Sequence, residues 1–60
     1  MTVQDFYLTF SDDTLFEIIK GGVRVYEGYL HFAPVSMMDF SVLEANVKEG
    51  VRDTVILLCD

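Results

Sequence analysis

In the pattern of apolar and polar positions the clearest local signal is Ile18-Ile19-Lys20-Gly21-Gly22-Val23-Arg24-Val25. Two glycines between β-branched runs predict a two-residue hairpin turn, because turns of types I′ and II′ need positive φ. That turn sets a register in which Lys20 faces Val23, Ile18 faces Val25 and Phe16 faces Glu27. One face of the hairpin then carries Phe16, Ile18, Val23, Val25 and Tyr29. The other carries Leu15, Glu17, Ile19, Arg24 and Tyr26, with Gly28 leaving a gap. Glu17 and Arg24 stand diagonally on that second face as a candidate ion pair, a contact that contributes little when exposed.

Beyond the hairpin, Pro34 ends the second strand and Ser36 reads as a helix N-cap, with Asp39 three residues on as a capping-box variant. A helix is predicted over residues 37–47, stopping near Lys48-Glu49-Gly50 with Gly50 as its C-cap. Met37, Phe40, Leu43 (or Glu44) and Val47 form its apolar stripe, beside a second of Met38, Val42 and Ala45. The run Thr54-Val55-Ile56-Leu57-Leu58-Cys59 is apolar on both faces, as in a covered strand. Residues 3–10 read as a strand or an ordered arm, and Ser11-Asp12-Asp13 as a turn.

These elements predict an α+β fold, a β-β-α-β subunit with an antiparallel three-stranded sheet in the order 2-1-3 and one helix on a face. A right-handed crossover through the helix places the last strand beside the first. The opposite face of the sheet is left bare, and Leu15, Ile19 and the second face of the last strand give it a reason to pair with another copy.

Size sharpens that expectation. A chain of 60 residues is one domain, 1–60, and buries only about 60% of the surface it exposes when unfolded. Cys59 is the only cysteine, so an internal disulfide is excluded; with His31 alone beside it, so is a four-donor zinc site. Oligomerisation is the remaining remedy, and a two-fold dimer is the commonest closed form. The N-terminus lacks the basic and apolar regions of a secretory signal, and the uncharged stretch between Glu27 and Asp39 is too short to span a bilayer. The expected location is the cytoplasm of a host cell.

Charge decides the kind of partner. Ten acids against four bases give a net charge of −6, yet 52% of residues are hydrophobic, so the chain should fold while presenting a negative surface. Nucleic acid and anionic lipid are repelled by such a surface, and basic proteins, including those that bind DNA, are attracted. No cofactor is implied, and no nucleophile–base pair points to an enzyme. His31 reads as a surface or half-buried histidine and Cys59 as an inert small hydrophobe. Asp12-Asp13 reads as a turn rather than a cation loop, and Gly21-Gly22 as a hairpin turn rather than a phosphate loop. Glu27 near the sheet edge, with Asp39 and Glu44 on the helix, would form an acidic rim around Tyr26, Tyr29 and Phe40; ordinary solvated acids, with Asp39 a helix cap, are the alternative.

The order Val3-Gln4-Asp5-Phe6, then a hairpin ending Tyr26-Glu27-Gly28-Tyr29, then Asp39-Phe40-Ser41-Val42-Leu43 followed by Asn46, resembles the small dimeric uracil-DNA glycosylase inhibitors encoded by some bacteriophages. The resemblance implies a β-β-α-β subunit in a two-fold dimer that mimics DNA. Its carboxylates imitate phosphates, and an apolar pocket between the two helices captures the residue the enzyme inserts into DNA. By position, Glu27 is then an acidic mimic and Phe40 a pocket residue. The full candidate set is Glu27, Asp39 and Glu44 as acids, with Tyr26, Tyr29, Phe40 and Leu43 lining the pocket. The partners implied are the basic DNA groove of uracil-DNA glycosylase and a second copy of the chain. The alternative is a small acidic dimer that inhibits another host DNA-binding protein, such as a restriction, transcription or CRISPR component. A third class is a structural or regulatory subunit whose acidity only keeps it in solution.

Overall fold

The computed structural model of the chain describes residues 1–10, 13–50 and 52–60. The turn expected at Ser11-Asp12-Asp13 lies outside the described residues except for Asp13, which is in a turn. Helix α1 spans Val3–Thr9; strands β1 (Leu15–Lys20) and β2 (Val23–Tyr29) follow, then 3₁₀ turns at Leu30–Phe32 and Val35–Met37, then β3 (Val42–Lys48) and β4 (Thr54–Cys59). The fold is α+β, with one four-stranded mixed sheet in the order β2-β1-β4-β3 among the described residues.

The hairpin turn forms at the glycine pair, with φ of 59° at Gly21 and 80° at Gly22, the positive values that a type I′ turn requires. Lys20 faces Val23 as expected, and Ile19 faces Arg24. The register then slips, so that Ile18 faces Tyr26, Glu17 faces Glu27 and Phe16 faces Gly28. Val25 is the extra residue of this β-bulge, and it moves Tyr26 onto the core face in place of Val25. There the Tyr26 ring covers the gap at Gly28, and its hydroxyl donates to the Tyr29 carbonyl at 2.5 Å.

Three expectations are corrected. The sheet has four strands rather than three and is mixed rather than antiparallel, because β1 and β4 pair in parallel. The last strand does lie beside the first, as the crossover argument required. Residues 37–47 are not a helix: a 3₁₀ turn ends at Met37, and β3 occupies Val42–Lys48. The reason lies in β4, which is apolar on both faces and sits centrally, so its second edge needs a backbone partner that a helix cannot supply. Residues 3–10 are neither strand nor arm, since α1 forms there and becomes the element that covers the sheet.

Helix α1 is held at its start by a capping box, in which the Thr2 amide donates to Asp5 Oδ2 at 2.8 Å. Its next free amides, those of Val3 and Gln4, donate to the Phe40 and Met38 carbonyls at 3.1 Å each. The first turn of the helix is thus satisfied by the segment entering β3. Val42 N donates to the Met1 carbonyl at 2.7 Å, and Asp60 N to the Ser41 carbonyl at 3.0 Å, so both termini are tied to the same segment.

The core lies on one face of the sheet. Phe16, Ile18, Val55, Leu57 and Cys59 project from β1 and β4 against Val3, Leu30 and Ala33, with Phe6, Tyr7, Tyr26, Met37, Met38, Phe40 and Val42 packed around them. Full burial of a side chain such as Leu57 or Ile18 contributes about 1.5–3 kcal/mol.

Among the described residues no helix or strand covers the opposite face, though the Arg52 side chain reaches the Tyr29 hydroxyl there. Paired residues project to the same side, so the registers arrange this face in three rows across β2, β1, β4 and β3. The rows read Tyr29–Leu15–Thr54–Lys48, then Glu27–Glu17–Ile56–Asn46, then Arg24–Ile19–Leu58–Glu44. Leu15, Ile19, Ile56 and Leu58 on this side remain half-exposed.

Leu57→Ala should lower stability by about 2–5 kcal/mol, and Leu43→Ala by less than about 0.5 kcal/mol. Urea titration followed by circular dichroism measures both. Equal losses would put Leu43 back in a helical core stripe. Gly28 has a φ of 143°, and a Cβ added there would lie only 3.2 Å from the Tyr26 hydroxyl, whereas a Cβ at Gly50 would meet nothing within 4 Å. Gly28→Ala should therefore be destabilising by about 1–3 kcal/mol, and Gly50→Ala should be far milder in the same titration.

Candidate functional site

The acids expected to form one rim are divided by the fold. Glu27 and Glu44 stand on the bare face, at opposite edges of the sheet, because β2 and β3 are its two outer strands. Asp39 is exposed in the turn between the second 3₁₀ element and β3. Glu27 is also engaged within the chain: Arg24 Nη1 donates to Glu27 Oε2 at 2.9 Å and to Glu17 Oε1 at 3.0 Å. The Glu17–Arg24 pair read from the hairpin is therefore present. The hydrogen bond to Glu17, then the charge of Glu27, raise the already high pKa of the exposed guanidinium.

The apolar candidates do not line one pocket either. Tyr26 and Phe40 pack against the core, and Phe40 is capped by the Lys20 ammonium 4.4 Å from its ring centroid. Tyr29 is on the other face, where its hydroxyl accepts from Arg52 Nη1. Leu43 is the extra residue of a bulge in β3 and is 71% exposed. The 37–47 helix would have brought Phe40 and Leu43 onto one stripe; in a strand preceded by a turn they separate.

A different set of side chains gathers beside α1. Tyr7 and His31 stack with ring centroids 6.0 Å apart and planes 9° from parallel, and the Tyr7 hydroxyl lies 3.2 Å from His31 Nδ1. Phe32 meets the His31 ring edge-on at 5.3 Å and is 74% exposed. Tyr7 and His31 line a groove of about 320 Å³ together with the apolar Ala33, Val35 and Met38 and the polar Gln4 and Asp39. Aromatic faces beside a carboxylate suit a cationic side chain, which gains from both the ring quadrupole and a charge-assisted hydrogen bond. Only Asp39 of this set was read as a site from sequence. The signal that could have found the rest is the capping box Thr2-Val3-Gln4-Asp5, which starts a helix and so places Gln4 and Tyr7 on adjacent turns. A second groove, of about 360 Å³ at the end of the sheet, mixes Glu17, Glu27 and Glu49 with Lys48 and Arg52.

Cys59 is buried, and burial pushes its thiol above the ordinary range, with the charge of Lys20 acting in the opposite direction. No group of three or more metal-ligating side chains is present among the described residues, and no helix there is long and apolar enough to cross a membrane. Comparisons with protein-family profiles, curated proteins and solved structures found no match to this chain.

A folded state that raises the Cys59 pKa favours the neutral thiol. Stability should therefore be unaffected by this group at neutral pH and should fall as pH rises through and beyond the ordinary thiol range. Iodoacetamide at pH 8 should accordingly label the native chain much more slowly than the chain in 6 M guanidinium (a concentration of about this size unfolds most domains). Equal labelling rates would mean that Cys59 is open to solvent.

Proposed function

We propose that this chain is a non-enzymatic acidic protein that binds a basic DNA-binding protein and occupies its DNA site, uracil-DNA glycosylase being the target that the resemblance singles out. The observation that carries the reading is the groove beside α1, which Asp39 lines together with the Tyr7–His31 stack on a chain of net charge −6. Long-range attraction draws the acidic chain to a basic groove. A lysine or arginine of the target then enters between the rings and Asp39. The apolar wall of Val35 and Met38 would receive the residue that the enzyme inserts into DNA, the part that the resemblance gave to Phe40. A two-fold dimer of the chain belongs to this proposal.

A second reading is favoured by one finding, the strand over Val42–Lys48 where the resemblance implies a helix. Without the inter-helix pocket, the same acidic surface serves equally against another host DNA-binding protein, such as a restriction, transcription or CRISPR component.

Excision of uracil from DNA by uracil-DNA glycosylase, with and without an excess of this chain, separates the two. Inhibition should be competitive with uracil-containing DNA, and association should slow as salt rises toward 1 M, where the Debye length falls to about 3 Å. Asp39→Asn should reduce the association rate severalfold and leave the fold intact. Full-rate excision by glycosylases from several bacteria at large inhibitor excess would remove this target and leave the second reading.

A further inference from the structure

The two faces of the sheet differ in charge as well as in cover. The bare face carries Glu17, Glu27 and Glu44 against Arg24 and Lys48, so its signs nearly balance. Elsewhere among the described residues Asp5, Asp13, Asp39, Glu49, Asp53 and Asp60 outnumber Lys20, since Arg52 reaches the Tyr29 hydroxyl on the bare face. A basic partner is drawn to the second set. An apolar centre with mixed charges at its margins suits a second copy of the same surface.

We propose that two copies of this chain pack bare face to bare face about a two-fold axis running along the strands. This deepens the dimer in the functional reading and takes from that reading only the pairing of the chain with itself. The rotation lays the β2 side of one copy over the β3 side of the other and keeps each row opposite itself. Arg24 of each copy meets Glu44 of the other, Ile19 packs on Leu58, and Glu17 lies over Ile56. The result is an aligned sandwich with the sheets about 10 Å apart.

The alternatives are less favourable on the same residues. A two-fold axis across the strands would set Glu17 against its own copy, sealing two carboxylates together without an added cation. Along the strands, Glu17 keeps its ion pair with Arg24, and its side chain is already only 13% exposed in the single chain. Among the described residues both side-chain bonds of Arg24 use Nη1, which leaves the Nη2 and Nε donors for Glu44 of the other copy. Edge-to-edge pairing is opposed by the register shifts in both outer strands, at Val25 in β2 and Leu43 in β3, since bulges blunt an edge.

Sedimentation equilibrium of the full chain over nanomolar to micromolar concentrations is the test, and it needs no target protein. The expected mass is about twice the 6.8 kDa of one chain. Glu44→Arg, at an exposed edge position, should weaken the dimer at least about tenfold while circular dichroism stays native. Arg24→Glu should do the same. An equimolar mixture of the two variants should recover a heterodimer, because each 24–44 contact in it again joins opposite signs. Should Arg24→Glu fail to fold, Arg24→Gln replaces it; this variant should weaken the dimer too. A native chain that stays monomeric overturns the proposal, and so does a dimer indifferent to Glu44→Arg. Either result leaves the glycosylase assay to be judged by itself, and loss of inhibition with the dimer intact leaves the sandwich standing.

Discussion

Parallel pairing of β1 with β4 joins residues 15–20 to residues 54–59, across most of the length of the chain, and most of the core hangs from it. Phe16, Ile18, Val55, Leu57 and Cys59 come from these two strands. Each central strand then has one further edge whose amides and carbonyls need partners. The hairpin supplies β2 for one, and residues 42–48 supply β3 for the other. Once 42–48 is committed to the sheet, only α1 and the 30–41 segment are left to cover it, and they suffice for one face.

That shortage shapes the surface. The covered face is apolar at its centre: among the described residues no buried one is polar or charged, and no buried side-chain nitrogen or oxygen lacks a partner. The bare face holds apolar side chains at its centre with ion pairs at its margin, and the acids in excess fall elsewhere. In the reading proposed above, self-association and target recognition fall to different sides of one small molecule. The groove beside α1 follows from the backbone hydrogen bonds that tie the helix to Met38 and Phe40, which put Asp39 in one groove lining with Tyr7 and His31.

Much of this was legible in the residues. Gly21-Gly22 demanded positive φ, so the hairpin followed from local sterics, and the doubly apolar 54–59 run pointed to a strand beside the first. The order 2-1-3 set that strand at the edge, and the fourth strand makes it central. The Glu17–Arg24 pair and the bare face followed from side-chain alternation. The segment 37–47 carried two periods at once. Met37, Phe40 and Val47 suit a helical stripe, while Glu44-Ala45-Asn46-Val47-Lys48 alternates as a strand. At the N-terminus Phe6, Leu8 and Phe10 alternate, yet Thr2 and Asp5 form a capping box and Val3, Phe6 and Tyr7 are spaced for one helix face.

The sequence by itself determined the elements whose conformation depends on neighbours in the chain: the glycine turn, the strand character of β1, β2 and β4, and the net acidity. Tertiary structure decided the rest. Whether 42–48 coils or extends depends on β4 offering an unpaired edge, an energy of many hydrogen bonds that outweighs a propensity difference of a few tenths of a kcal/mol per residue. The bulge at Val25 was decided the same way, because it places Tyr26 over Gly28 on the core side, and a register read outward from the turn contains no account of that packing. The site followed those decisions. Asp39 kept its exposure but came to line one groove with Tyr7 and His31, since long-range backbone pairing, and not local periodicity, sets which residues meet.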